Sequence, residues 1–132
     1  MIGLDTNVLV RYLTLDDEVQ ARRAVALIDD AVERGVPLFV STIVLCELAW
    51  VLQRAYGYGR FEVGTVIERL LRSAQLRFND AGRLWAALAD FRDGSADFPD
   101  YLIGRESLDA VCGETVTFDR ALEGEVGYRL LR

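Results

Sequence analysis

Apolar and polar positions alternate along this chain in two different rhythms. MIGLD (1–5) is a short apolar run that ends on an acid and reads as a buried strand. TNVLVRYL (6–13) follows at once with helical spacing. From Asp16 to Arg34, DDEVQARRAVALIDDAVER returns its apolar residues near every 3.6 positions, with acids early and an arginine late. That pattern predicts an amphipathic helix, stopped by Gly35. VPLFV (36–40) predicts a strand, and Ser41 or Thr42 offers an N-cap to the apolar helix TIVLCELAWVLQRAYG. A helix over 60–73, a strand at QLRF (75–78) and a helix capped by Asn79 or Asp80 come next. DFPDYLIGRESLDAVCG reads as a helix with Pro99 in its first turn, ETVTF (114–118) as a strand, DRALEG as a short helix and YRLL (128–131) as a last strand. This alternation predicts an α/β fold: an α/β/α sandwich around a central, mostly parallel sheet of about five short strands. No repeat, low-complexity tract or linker divides the chain, so residues 1–132 are expected to form one domain.

Composition narrows the chemistry. The chain has no histidine, and its 15 basic residues are all arginine. The usual general base and the usual amine nucleophile are therefore both missing. Catalysis by this chain must use carboxylates, hydroxyls, thiols or arginine. Carboxylates with a hard cation such as Mg²⁺ or Mn²⁺ are the most accessible combination. A net charge of −6 argues against gripping nucleic acid by charge alone, though acids gathered around a cation contribute to that balance. No apolar run is long enough for a membrane span, Asp5 and Arg11 interrupt any signal-peptide pattern, and no membrane partner is expected. Cys46 and Cys112 lack metal-type spacing and sit in apolar context, so buried free thiols and a cytoplasmic location are expected.

The acids fall where open α/β sheets collect ligands, beyond the carboxyl ends of strands. Asp5 follows the first predicted strand and Asp119 follows VTF. Glu47 lies in the apolar run IVLCELAWVL, where a lone acid is costly unless paired or coordinated. Asp97 and Asp100 open another helix three residues apart. Each has a plainer reading. Asp5 and Asp119 serve equally well as helix caps, Asp97–Asp100 as a cap with a first-turn acid, and Glu47 as a surface residue. Several such acids converging in one small domain would crowd like charges unless a cation sat among them.

LDTNVLVRYL, STIVLCELAWVL, ADFPDYLIG and TVTFDRAL, in this order and at these spacings, resemble the PIN domain. More narrowly they are similar to the VapC-type toxin ribonucleases of bacterial toxin–antitoxin pairs. The resemblance spans essentially the whole chain and implies metal-site acids at Asp5, Glu47, Asp100 and Asp119. Asp97 is an outer member or a cap, and Asn7 and Thr117 match polar positions that orient the acids. It implies an Mg²⁺- or Mn²⁺-dependent endoribonuclease acting on RNA. It further implies a small VapB-like antitoxin that inserts a segment, often bearing an arginine, into the acidic cleft. A homodimer through the helices at 16–34 and 42–73 is also implied.

Arg11, Arg60 and Arg105 are candidates to hold substrate, and Tyr56 and Tyr58 to stack on bases. An aspartate-based phosphatase or phospho-acceptor fits poorly. The phosphatase wants an aspartate where Asn7 stands, and both need a lysine. A non-catalytic PIN-like interaction module is the remaining alternative.

Overall fold

The computed structural model describes residues 1–132. The chain runs β1 (Ile2–Gly3), α1 (Thr6–Thr14), α2 (Glu18–Arg34), β2 (Leu38–Phe39), α3 (Thr42–Tyr56), α4 (Arg60–Arg72), β3 (Leu76–Arg77), α5 (Ala81–Asp93), α6 (Phe98–Asp109), β4 (Thr115–Thr117), a 3₁₀ turn (Arg120–Leu122) and β5 (Tyr128–Leu130). Capping chemistry sets the boundaries. Asp17 accepts from the Gln20 N–H, Ser41 from Val44 and Asp80 from Arg83, each satisfying an N–H that the first turn leaves free. Gly35 and Gly57 close α2 and α3 in the left-handed region, at φ 67° and 68°. Asn79 does not cap α5; its side-chain oxygen instead accepts from the Thr42 N–H at the start of α3.

All strand pairs are parallel. β2 sits between β1 and β3, with Ile2 opposite Leu38 and Leu38 opposite Leu76. Covered by helices, this centre buries Leu38 and Val40 completely. The five strands do not form one ladder. β4 pairs only with β5, in a separate two-stranded sheet. The reason lies in how little chain is left for pairing. Asp5, Ser41 and Asp80 already cap helices, so MIGLD gives the ladder only Ile2 and Gly3, and no strand exceeds three residues. DRALEG likewise shortens to a single 3₁₀ turn.

One apolar core runs from Leu4 to Leu122 and is filled by every helix except the 3₁₀ turn's own short span, which contributes Leu122 alone. Where α5 meets α6, Phe91 lies edge-on to Phe98 at 5.9 Å and to Tyr101 at 6.4 Å. Arg60 reaches in from α4, 4.2 Å above the Phe91 ring. Its guanidinium donates to the carbonyls of Phe91, Gly94 and Ala96, fixing the connection that leads into α6. Gly104 lets β5 approach α6: a Cβ there would stand 2.8 Å from the Tyr128 ring. No helix is long and apolar enough to cross a membrane.

The thiols depart from expectation. Cys46 is half-buried, and burial, then the Glu106 charge, pushes its pKa up to about 11. Cys112 is exposed, because α6 ends at Asp109 and leaves the cysteine in the turn beyond any packed face.

Candidate functional site

Asp5 ends the β1 segment and caps α1, its Oδ1 accepting the Thr6 N–H at 2.8 Å. Thr6 then turns its side chain inward. It is the one buried polar residue of the chain, and its hydroxyl donates to Glu47 Oε1 at 3.1 Å. A single residue thus holds two acids, one through its backbone and one through its side chain, across 41 positions of sequence. Parallel pairing of β1 with β2 makes this reach possible, because α1 and α3 leave neighbouring strands on the same side.

Glu47 itself is not sunk in an apolar environment. α3 buries Val44, Leu45, Leu48, Ala49 and Leu52, and Glu47 stands on the opposite, exposed face with Ile43 and Trp50. The apolar run is amphipathic with a partly apolar outer face, so Glu47 takes the surface position that was one of its two readings.

The second pair of acids gathers around Tyr128. Asp100 occupies the first turn of α6 and accepts the Asp97 N–H at 3.2 Å through Oδ2. Burial raises the Asp100 pKa above the usual carboxylate range. The bond from the Asp97 N–H opposes this, while the charges of Asp97 and Asp119 add to it. Asp119 therefore stands near enough to be felt at Asp100. Asp119 caps the 3₁₀ turn by accepting the Ala121 N–H at 2.9 Å, and its own N–H donates to the Thr117 hydroxyl at 3.0 Å. The Tyr128 hydroxyl donates to the Asp100 carbonyl. Burial, then the charge of Asp100, pushes the Tyr128 pKa up to about 12, so this donor keeps its proton at any physiological pH.

Asp97 is exposed at the N-cap of α6, where its backbone supports Asp100. Asn7 lines a shallow cleft with Val8, Arg11, Gln20 and Arg23.

A shared property marks Asp5, Glu47, Asp100 and Asp119. Each uses one side-chain oxygen in a protein hydrogen bond and leaves the other without a protein partner. None lies within ion-pairing distance of an arginine, whereas Asp16, Asp90 and Asp109 are each paired. Free carboxylate oxygens without a competing cation are the donor chemistry a hard divalent ion takes. As the side chains are placed, no three acidic or thiol groups stand close enough to share one ion. The donor set fits such an ion chemically, and the carboxylates must turn toward one another to hold it.

The match to a PIN domain family model covers residues 2–123. The chain belongs to the PIN domain family. PIN domains are generally nucleases and typically use divalent metal ions, which agrees with the donor set just described. Comparison with curated proteins gives no match.

The arginines and tyrosines that are candidates for substrate contact are each engaged within this PIN domain. Arg11 bonds Asp16, Gln20 and Tyr56. Arg60 is the brace above Phe91. Arg105 grips Asp90 with two bonds, at 2.6 and 2.8 Å. The Tyr56 hydroxyl donates to Asp16, and Tyr58 packs on the core. Thr6 and Tyr128 were missed as positioning residues. Thr6 carried a signal, a small hydroxyl directly after a strand-end acid. Tyr128 carried none, because its contact with Asp100 spans 28 residues.

Proposed function

We propose that the chain is a metal-dependent endoribonuclease, the toxin of a toxin–antitoxin pair, with Asp5, Glu47, Asp100 and Asp119 as its catalytic acids. The observation that carries this reading is the set of four family-motif carboxylates, each with an oxygen left over and none neutralised by arginine. Asp5, Asp100 and Asp119 would hold Mg²⁺ or Mn²⁺, with Glu47 completing the site or ordering water. When bound, the cation supplies the water activation and the phosphate charge neutralisation of a hydrolysis. The chain's own contribution is placement. Thr6 fixes Asp5 and Glu47, Thr117 and the 3₁₀ turn fix Asp119, and Tyr128 secures the first turn of α6 beneath Asp100. The chain has no histidine, the side chain whose ordinary pKa lies near neutrality, so activation of the water would fall to the bound cation.

The toxin reading brings an antitoxin that covers the acids, with an arginine where the chain supplies none. It also brings a homodimer formed by exposed apolar residues of the helices α2 and α4, among them Val19, Val32 and Phe61, in a cytoplasmic setting.

The test is cleavage of a single-stranded RNA by the full chain in Mg²⁺ or Mn²⁺. Asp5→Asn is expected to reduce cutting to background with the circular dichroism spectrum unchanged. Wild-type cutting by that variant, or undiminished cutting in excess EDTA, overturns the assignment. The separation of the acids favours one other reading, a non-catalytic interaction module. Calorimetry decides between them: the nuclease binds Mn²⁺ and loses that binding in Asp119→Asn, whereas the module binds none.

A further inference from the structure

We infer that Phe118 and Arg120, the residues on either side of Asp119, form the subsite for the nucleotide next to the scissile phosphate of a single-stranded RNA. The inference rests on the nuclease reading above and supplies the substrate contacts that Arg11, Arg60 and Arg105 do not provide.

Three observations meet here. The first is a cleft of ≈ 590 Å³ lined by Phe118, Arg120, Glu123, Leu130, Leu131 and Arg132. Asp119 does not line it, but it adjoins two lining residues, each one Cα step of about 3.8 Å away. The second is the exposure of Phe118, whose ring is 78% accessible. Along β4 and the residue after it burial alternates: Thr115 and Thr117 are partly buried, while Val116 and Phe118 are exposed. A phenylalanine this open contributes little to the core and offers its whole face for stacking.

The third is the state of the arginines. Most are tied to carboxylates. Arg60 and Arg77 donate to backbone carbonyls, Arg54 lies over Trp50 at 5.5 Å, and Arg23 and Arg69 are exposed without a carboxylate partner on α2 and α4. Arg120 is exposed, pairs with no carboxylate and adjoins one of the four acids in the chain. Arg132 adds a second cation to the same cleft, held by an exposed pair with Glu123 that contributes little and yields readily to a phosphate.

An exposed aromatic beside a free guanidinium is the pairing by which proteins hold single-stranded nucleic acid, the ring taking a base and the cation a phosphate. In a chain of net charge −6, a cation placed beside the acids offsets the repulsion that a polyanion meets there.

The experiment uses the full chain and a fluorescein-labelled, mixed-sequence RNA 12-mer, with binding read by anisotropy in EDTA at several salt concentrations and cleavage read separately in Mn²⁺. Phe118→Ala is expected to weaken binding about tenfold with the salt dependence unchanged, and Phe118→Trp to restore it. Arg120→Ala is expected to weaken binding and to lower the slope of log K against log salt by about 0.7. Both positions are exposed, and circular dichroism checks that the variants fold. Binding within twofold of wild type at an unchanged slope in both variants overturns the subsite, as does a wild-type chain that binds no RNA. A wild-type chain that binds RNA through these residues and fails to cut it sinks the nuclease reading alone and supports the subsite.

Discussion

Asp100 shows what a site residue costs the fold. Burial holds its pKa up, so folding favours the protonated form. That contribution is complete below the ordinary carboxylate pKa and is lost as pH rises through the raised value, leaving a disfavoured charge at neutral pH. Asp100→Asn removes the charge and keeps an oxygen for the Asp97 N–H. Thermal unfolding at pH 7 is expected to show this variant melting above wild type, with the gap closing on acidification, while RNA cleavage is lost. A melting point well below wild type at pH 7 would show that the carboxylate is needed for the fold. The positions of Asp5, Asp100 and Asp119 at a strand end, a helix start and a strand end were legible in the sequence because these are local features, whereas Glu47 stood out only as an acid within an apolar helix. The free or engaged state of Arg11, Arg60 and Arg105 was not legible, because their partners lie outside the motifs that drew attention to them.

Among the elements, the α5–α6 connection carries the most consequence for the site. It delivers the chain to Asp97 and Asp100, and its carbonyls at Phe91, Gly94 and Ala96 are satisfied by one guanidinium from α4. Removing that guanidinium leaves several acceptors short of donors and takes away a cation–π contact. Arg60→Ala is expected to lower stability by roughly 2–4 kcal/mol in urea unfolding. Stability within 0.5 kcal/mol of wild type, with a selective loss of RNA affinity, would instead return Arg60 to the substrate. Helix identities were readable from period and caps throughout. Strand lengths were not: an apolar pentapeptide such as MIGLD reads as one strand, whereas Asp5 had already been taken for the α1 cap.

For the molecule as a whole, the acids form two pairs held by different parts of the fold, Asp5–Glu47 through Thr6 and Asp100–Asp119 around Tyr128. The β1–β2–β3 sheet carries the first pair, while β4, beside β5 in the other sheet, supplies Asp119 to the second. An ion that draws the pairs together binds the native state alone and therefore stabilises it. At a concentration 100-fold above its Kd the gain is about 2.7 kcal/mol, roughly 10 °C in Tm for a chain of this size. Differential scanning calorimetry is expected to show that rise with Mn²⁺ for wild type, its reversal by EDTA and its absence in Asp119→Asn. An equal rise in that variant would place the ion elsewhere.

By itself the sequence determined the order of helices and strands, the absence of histidine and lysine chemistry, and which acids fall at strand ends and helix starts. These follow from residue type and spacing, which act over a few positions of chain. Only the tertiary structure decided which groups meet: that Thr6 reaches Glu47, that Tyr128 lies beneath α6, that the sheet divides, and that Arg120 has no carboxylate partner while Arg11 and Arg105 have one. Such outcomes depend on how separate elements pack, and no local pattern encodes them.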